Sequence, residues 1–479
     1  MRDFFMGVNF KFFIAKTLGQ LAFPILKIMP TGGKSFPGLV YLNMAGKESL
    51  HDLAKSQIDQ GSILITGTNG KTTTTTMIIN ILSKDFNLAT SVGNNTIYAL
   101  TTGLLHNKGQ MGVFEYGIRD IQHGTPDLIC DQIQPIGVVY TNISREHTQV
   151  AGVKNPFKDY VRAKTLLSES MHDGVLITNA DDPNTTFIGT NKEKDNHVVY
   201  YGFELDDYVD IFDEESVKCP NCDGELTYTK KYFGQRGDYT CSCGFKRPEP
   251  NVKLTKFVQD NNKYLITIDV DAYNYHKKDT VKYTLDMELP VIGMHNLYNC
   301  LATIATYTVF STSENIKENI LDFFREYEIP VPPGRFEILK VGDKTIGVGQ
   351  GDNGDALKVN ALLMKNYIDD EFEFIYTTPD TNEEEIFEDH CLSIKALNPD
   401  KLVVLPGRVS SETAETYYNQ IKDNYDSEFY PVEFDFEKRI DKVIELIKNS
   451  QYKNIIISGC GEEIIFWDEL KNKIKQLNL

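Results

Sequence analysis

The sequence predicts an α/β protein with two sheets, the first large and mostly parallel, the second smaller. Three observations carry this. Apolar strand-like runs alternate with helical patterns from Ser62 to about Phe310, as in a parallel sheet with helical crossovers. The first such strand runs directly into Gly67-Thr68-Asn69-Gly70-Lys71-Thr72 and a helix. A break at Pro330, Pro332, Pro333 and Gly334 then precedes a second strand–helix alternation.

The elements follow in chain order. Residues 1 to about 55 form a short N-terminal region. Its opening stretch, residues 4–30, is apolar but interrupted by Lys11, Lys16, Gln20 and Lys27. The spacing predicts an amphipathic helix over about residues 9–26. The stretch lacks the basic start and small-residue cleavage site of a signal peptide. Two readings stay open: the helix packs on the body, or it lies on a membrane surface. A central domain over 56–330 has strands at Ser62 onward, 112–114, 136–140, 175–178 and 198–201, then at 252–257 and 264–270, and a helix over 295–310. A polar segment rich in Cys, Gly and Tyr, about 215–250, interrupts it as an inserted module. Beyond the hinge, 334–479 has strands at 344–348, 372–376, 401–405 and 454–458.

Composition sets the class. The 479 residues are 41% hydrophobic and 24% charged, ordinary for a globular protein with room for two or three domains. A net charge of -19 argues against non-specific nucleic-acid binding and against a polybasic membrane patch. No apolar run is long enough for a transmembrane helix, and a cytoplasmic protein, with membrane association as the other possibility, is expected.

A strand ending in Gly-Thr-Asn-Gly-Lys-Thr and opening a helix is a phosphate cradle, because turn and helix N–H groups point at the ligand. Gly67, Thr68, Asn69, Gly70, Lys71, Thr72 and Thr73 are the candidate nucleotide contacts, with Lys71 as a point charge and the Thr72 hydroxyl toward Mg²⁺. Strict Walker spacing would need glycine at Ile65, so the loop is a shortened variant. Glu115 ends a predicted strand in Val113-Phe114-Glu115-Tyr116, well placed for a magnesium. Cys219 and Cys222, then Cys241 and Cys243, outline a zinc ribbon: four thiolates suit a closed, structural Zn²⁺ site. The second pair is one residue tighter than a standard knuckle.

The shortened loop resembles that of the Mur ligase superfamily, ATP-dependent amide ligases with a central ATPase domain and a Rossmann-like C-terminal domain. Further motifs extend the resemblance. It implies that Glu115 binds a magnesium, and that His147, in Thr141-Asn142-Ile143-Ser144-Arg145-Glu146-His147, helps bind a second. It implies that Lys164, in Tyr160-Val161-Arg162-Ala163-Lys164, is carbamylated beside the metals; a lysine there must lose its positive charge. Asn179-Ala180-Asp181-Asp182 is expected to cap a helix. In Gly293-Met294-His295-Asn296-Leu297-Tyr298-Asn299, the residues His295, Asn296 and Asn299 fall on the nucleotide side. Arg335, in Gly334-Arg335-Phe336-Glu337, would contact the nucleotide on domain closure. Gly349 stands where the family has a ribose-binding Asp, leaving Asp352 or Asn353 as substitutes.

Residues 233–250 and the short N-terminal region resemble the MurT group, which amidates the glutamate of lipid II with a GatD glutaminase. Two features depart from MurT: its C-terminal tryptophan stretch is missing, Trp467 being the single Trp, and the Lys164 loop looks more like that of the murein tripeptide ligase. Such a hybrid resembles the archaeal pseudomurein peptide ligases. The resemblance implies ATP, Mg²⁺ and structural Zn²⁺. It also implies a nucleotide- or lipid-linked cell-wall peptide precursor, and an amino acid or ammonia as the amine. A non-catalytic nucleotide-binding protein and a folate-type polyglutamylating enzyme are the other readings; intact Lys71, Thr72, Glu115 and His147 weigh against the former.

Overall fold

The computed structural model describes residues 2–22, 35–144, 156–206, 217–260, 263–290, 293–328, 334, 336–365, 371–381 and 383–477. His147, Arg335 and residues 330–333 of the hinge lie outside them. The described residues of Met1–Ile143, Val153–Tyr208 and Ser216–Ile329 cluster as one compact unit, and those of Pro330–Leu479 as a second.

The first unit is a nine-stranded sheet. Its strands are β1 (Ser62–Thr66), β2 (Leu88–Ser91), β3 (Met111–Glu115), β4 (Gly137–Tyr140), β5 (Val175–Asn179), β6 (His197–Phe203), β9 (Val252–Asp260), β10 (Lys263–Asn274) and β11 (Asp279–Pro290). The order is β11-β10-β9-β6-β5-β4-β1-β3-β2. From β2 to β9 every pairing is parallel; β9, β10 and β11 close the other edge antiparallel. Central β1, β3, β4 and β5 are buried throughout. Helices cover both faces of such a sheet, so these strands read as continuous apolar runs. The β10–β11 ribbon alternates buried and exposed positions. Its second strand, Asp-Thr-Val-Lys-Tyr-Thr-Leu-Asp-Met-Glu-Leu-Pro, is a further element beyond those expected, and its apolar residues alternate with polar ones as in a half-buried strand.

Two findings refine the expected elements. The inserted segment forms its own hairpin, β7 (Thr227–Phe233) with β8 (Arg236–Thr240). The first helix spans Arg2–Leu21, earlier than its predicted place. Pro24 explains its end: proline lacks the N–H and disfavours helical geometry in the residue before it. No described helix is long and apolar enough to cross a membrane.

The second unit is a six-stranded sheet of β12 (Glu337–Val341), β13 (Lys344–Gln350), β14 (Phe372–Thr377), β15 (Lys401–Leu405), β16 (Ser427–Phe429) and β17 (Asn454–Gly459). The order is β12-β13-β17-β14-β15-β16, parallel except for β12. One core lies on each face. Trp467, Phe466 and Leu470 fill one, and Phe374, Tyr376 and Phe387 the other.

Candidate functional site

The glycine loop sits at the C-terminal end of β1, which lies between β4 and β3 in the parallel part of the first unit's sheet; α/β folds place their ligands at such strand ends. Gly70 adopts φ 79°, and a Cβ there would stand 2.3 Å from Asn299 Oδ1. At Gly67, with φ 155°, a Cβ would stand 1.9 Å from Thr141 Oγ1. The loop is thus folded tightly against two neighbours, and only glycine fits at either end. The helix Lys71–Leu82 starts at the next residue.

The loop after β4 braces it. Asn69 N–H donates to Asn142 Oδ1 at 3.1 Å, Asn142 Nδ2 returns a bond to Asn69 O at 2.9 Å, and Thr141 Oγ1 reaches the same carbonyl at 2.7 Å. Lys71 Nζ folds back on Thr68 O at 2.6 Å. On the far side Asn299 accepts from Thr74 Oγ1 at 3.1 Å and donates to Asn296 Oδ1 at 2.9 Å. The Asn296–Asn299 pair therefore meets the phosphate loop directly, and His295, half-buried, is its neighbour on the same helix.

Glu115 is 2% exposed at the end of β3, beside β1. Its Oε1 accepts from Thr72 Oγ1 at 2.9 Å and its Oε2 from Gly93 N–H at 2.8 Å. Among the described residues no lysine or arginine pairs with it. A buried carboxylate with neutral donors and a hydroxyl beside a phosphate loop fits a divalent cation. Lys164 is no surface lysine: it is 1% exposed, with Nζ 3.0 Å from Gly67 O and 4.5 Å from the Tyr160 ring centroid. Tyr160 in turn bonds Thr68 Oγ1 at 3.0 Å. The structure brings Gly67–Thr73, Glu115, Lys164, Asn296 and Asn299 to one place. Asn353, in the second unit, uses its side chain to cap a helix, accepting from Ala356 N–H at 2.9 Å.

Asp182 caps the helix Pro183–Lys192, accepting from Asn184 and Thr185 N–H, as expected for this turn. Its neighbour Asp181 takes Arg247 Nε at 2.7 Å and Tyr298 Oη at 2.8 Å. Burial pushes both carboxyls above the ordinary range; the Arg247 and Arg236 charges respectively oppose it.

The four clustered cysteines converge. Their Sγ atoms all lie within 4.8 Å of one another, with Cys219–Cys243 at 3.7 Å and Cys222–Cys241 at 3.6 Å. A tetrahedral zinc with bonds of about 2.3 Å has sulfur–sulfur edges of about 3.8 Å, so the set fits one metal ion. Donors already point at the sulfurs: Gly224 N–H to Cys222 at 3.4 Å and Asn221 Nδ2 to Cys243 at 3.6 Å. The Phe245 N–H and then Asn221 hold the Cys243 thiol down at about 6.

The module is tied to the site by a residue to which the sequence reading attached no role. Gln235, at the tip of the β7–β8 hairpin, donates to Asp182 Oδ2 at 2.8 Å and to Ile143 O at 2.7 Å. Ile143 N–H also donates to Asp182 Oδ2 at 3.1 Å, and Asn142 beside it grips the phosphate loop. Tyr239 Oη adds a bond to Ala180 O at 3.0 Å. The Gly234-Gln235 turn was readable as a hairpin; that its amide reaches the phosphate-loop brace was not.

Comparison with known proteins agrees with this geometry. Residues 65–233 match the Mur ligase middle domain. Over 323 residues the chain is 28% identical to the MurT subunit of the lipid II isoglutaminyl synthase of Streptococcus pneumoniae, covering 65% of each chain. It is 38% identical over 314 residues to a UDP-N-acetylmuramoyl-tripeptide–D-alanyl-D-alanine ligase of Borreliella burgdorferi, covering 63% of this chain and 52% of that one. The chain thus spans less than two thirds of the length of either relative. Among solved structures, a pseudomurein peptide ligase type C from Methanothermus fervidus superposes with a TM-score of 0.66 at 23% identity, over 91% of this chain and 84% of that one. MurF from Acinetobacter baumannii does so with 0.61 at 16% identity, over 90% and 81%. At those identities the likeness concerns the fold.

Proposed function

We propose that this chain, whose residues 65–233 carry a Mur ligase middle domain, is an ATP-dependent ligase of cell-wall precursor synthesis. It activates a carboxylate as an acyl-phosphate and joins an amine to it. In the reading we favour, it adds an amino acid to a UDP-linked pseudomurein or murein peptide. The observation that carries the proposal is the buried Glu115, bonded to Thr72 at the head of the phosphate loop and lacking a basic partner among the described residues.

Gly67, Thr68, Asn69, Gly70, Lys71, Thr72 and Thr73 would hold the ATP phosphates, with His295, Asn296 and Asn299 on the base side. Thr72, Glu115 and His147 would hold Mg²⁺, which supplies positive charge against the phosphate oxygens. Lys164 is assigned as the carbamate, the anionic form of a lysine that suits neighbouring cations. A carboxylate oxygen of the acceptor attacks the γ-phosphorus, and the bond to the bridging oxygen breaks to release ADP. The amine nitrogen then attacks the acyl carbon, loses a proton, and expels inorganic phosphate. Lys71 and Arg335 would stabilise the transferring phosphoryl group. Closure about residues 330–334 would keep water from the acyl-phosphate. The clustered cysteines would hold a structural Zn²⁺. The protein would work in the cytoplasm, free or associated with the membrane.

A second reading rests on the likeness to MurT subunits: a ligase subunit that takes ammonia from a GatD-type glutaminase and amidates a lipid-linked glutamate. One experiment tests both. ADP formation is followed with UDP-linked peptide precursors and either a panel of amino acids or ammonium. Turnover dependent on one amino acid supports the autonomous ligase, and turnover with ammonium alone supports the amidotransferase subunit. Lys71→Ala should abolish either; near-normal turnover in that variant would sink the scheme.

A further inference from the structure

Over its described side chains, residues 11–21, the first helix turns Phe12, Ala15 and Gly19 toward the body, Phe12 packing on Tyr41 with ring centroids 6.3 Å apart, and leaves Phe13, Leu18 and Leu21 outward. Ala15 and Ala22 are buried. So is Gly19, where a Cβ would stand 2.9 Å from Leu105 Cδ1 and 3.3 Å from Pro37 O. Phe13, Leu18 and Leu21 are 68%, 41% and 63% exposed. At about 100° per residue, Phe13, Ile14, Thr17, Leu18 and Leu21 share an outer arc of about 140°. A surface helix usually turns its large apolar side chains to the core, as Phe12 does here; Phe13, Leu18 and Leu21 stand in water instead.

The helix is not free to roll over and bury them. Lys16 Nζ bonds Ser56 Oγ at 3.2 Å and Gln57 Oε1 at 3.3 Å, and Gln20 Nε2 bonds Leu105 O at 3.2 Å. These grips, with the close approach at Gly19, hold the small-residue side against the first unit.

Charge is distributed to match. Residues 1–45 carry Arg2, Lys11, Lys16, Lys27 and Lys34 against Asp3 alone, a local balance of +4, which leaves -23 on the rest of a chain of total -19. Lys11 is exposed at the edge of the apolar arc. The net acidity that argues against a basic patch therefore belongs to the rest of the chain. Two copies of this net-positive segment would repel each other, whereas an anionic surface would attract it and repel the acidic remainder.

We propose that the outer face of the helix Arg2–Leu21 seats this chain on an anionic phospholipid surface, with Phe13, Leu18 and Leu21 entering the interface and Lys11 meeting the headgroups. The inference is independent of the ligase reading. A membrane seat would bring a lipid-linked acceptor within reach, but the test below involves no acceptor, so its failure leaves the ligase reading standing.

The experiment is vesicle flotation of the full chain with phosphatidylcholine alone or mixed with phosphatidylglycerol, at low and high salt. The expected result is binding to the mixed vesicles, weakened by salt. The triple variant Phe13→Ser, Leu18→Ser, Leu21→Ser should bind at least tenfold more weakly with an unchanged melting curve, and Lys11→Glu should bind more weakly too. No binding to the mixed vesicles overturns the proposal. So does equal binding by the triple variant, or a wild-type dimer that the triple variant abolishes without any vesicle binding. If the triple variant melts early, Lys11→Glu decides: unchanged binding in that variant overturns the charge argument.

Discussion

Thr72 Oγ1 donates to Glu115 Oε1 at 2.9 Å, linking the first turn of the phosphate-loop helix to the end of the neighbouring parallel strand. The pair holds a hydroxyl and a carboxylate together where a metal bound to phosphate oxygens would sit. Glu115→Gln keeps the shape and the Gly93 contact but removes the charge. We expect ATP turnover to fall roughly 10²-fold or more, with a melting temperature close to wild type. A variant retaining more than a tenth of the rate, measured as ADP release at saturating Mg²⁺, would refute a metal role for Glu115.

Gly70→Ala tests the cradle. The new methyl would meet Asn299 Oδ1 at 2.3 Å in a backbone with φ 79°. The strain is about 1–3 kcal/mol, and relief by moving Asn299 would open the Asn296–Asn299 side. Nucleotide affinity should therefore drop at least tenfold, read by titration with a fluorescent ATP analogue. Unchanged affinity would remove the loop from the nucleotide site.

The cysteine cluster should contain one zinc per chain by elemental analysis. Chelation, or Cys219→Ser, should lower the melting temperature by several degrees, because the hairpin between the two cysteine pairs carries Gln235 and Tyr239 onto the Asp181–Asp182 turn. Thiolates bind the metal, so protons compete as the pH falls. Retention should weaken steadily as the pH falls, because each ligand thiol regains its proton. A metal-free protein of equal stability would contradict this.

His390 is fully buried in the second unit, with Nδ1 2.9 Å from Tyr376 Oη. Burial pushes it down to about 4. The unfolded chain binds this proton near pH 6.5 and the fold does not, so stability is full above that value and falls as the pH drops toward 4. The loss is at most about 3 kcal/mol. His390→Gln should flatten that part of the pH–stability curve in denaturant titrations; an unchanged slope would assign it elsewhere.

Much of this protein is legible in its residues because the signals are local. A strand entering Gly67–Thr72, a carboxylate closing the strand at Glu115, and paired cysteines each express a short-range rule of turn geometry or metal chemistry. The apolar runs of β1, β3, β4 and β5 mark a sheet covered on both faces, since every side chain must leave water. β11 carries the same kind of local signal, Val281, Tyr283, Leu285, Met287 and Leu289 alternating with polar residues, although it was not among the expected strands.

The tertiary structure alone decided which distant groups meet. Asn299 against Gly70, Lys164 under Gly67, and Gln235 on Ile143 are contacts across long loops. Their specificity comes from a close approach and from hydrogen bonds whose partners no local pattern names. It also decided which side of the first helix faces the body. A helical period shows that two faces exist, but not that the close approach at Gly19 sets that side against the body and leaves Phe13, Leu18 and Leu21 in water.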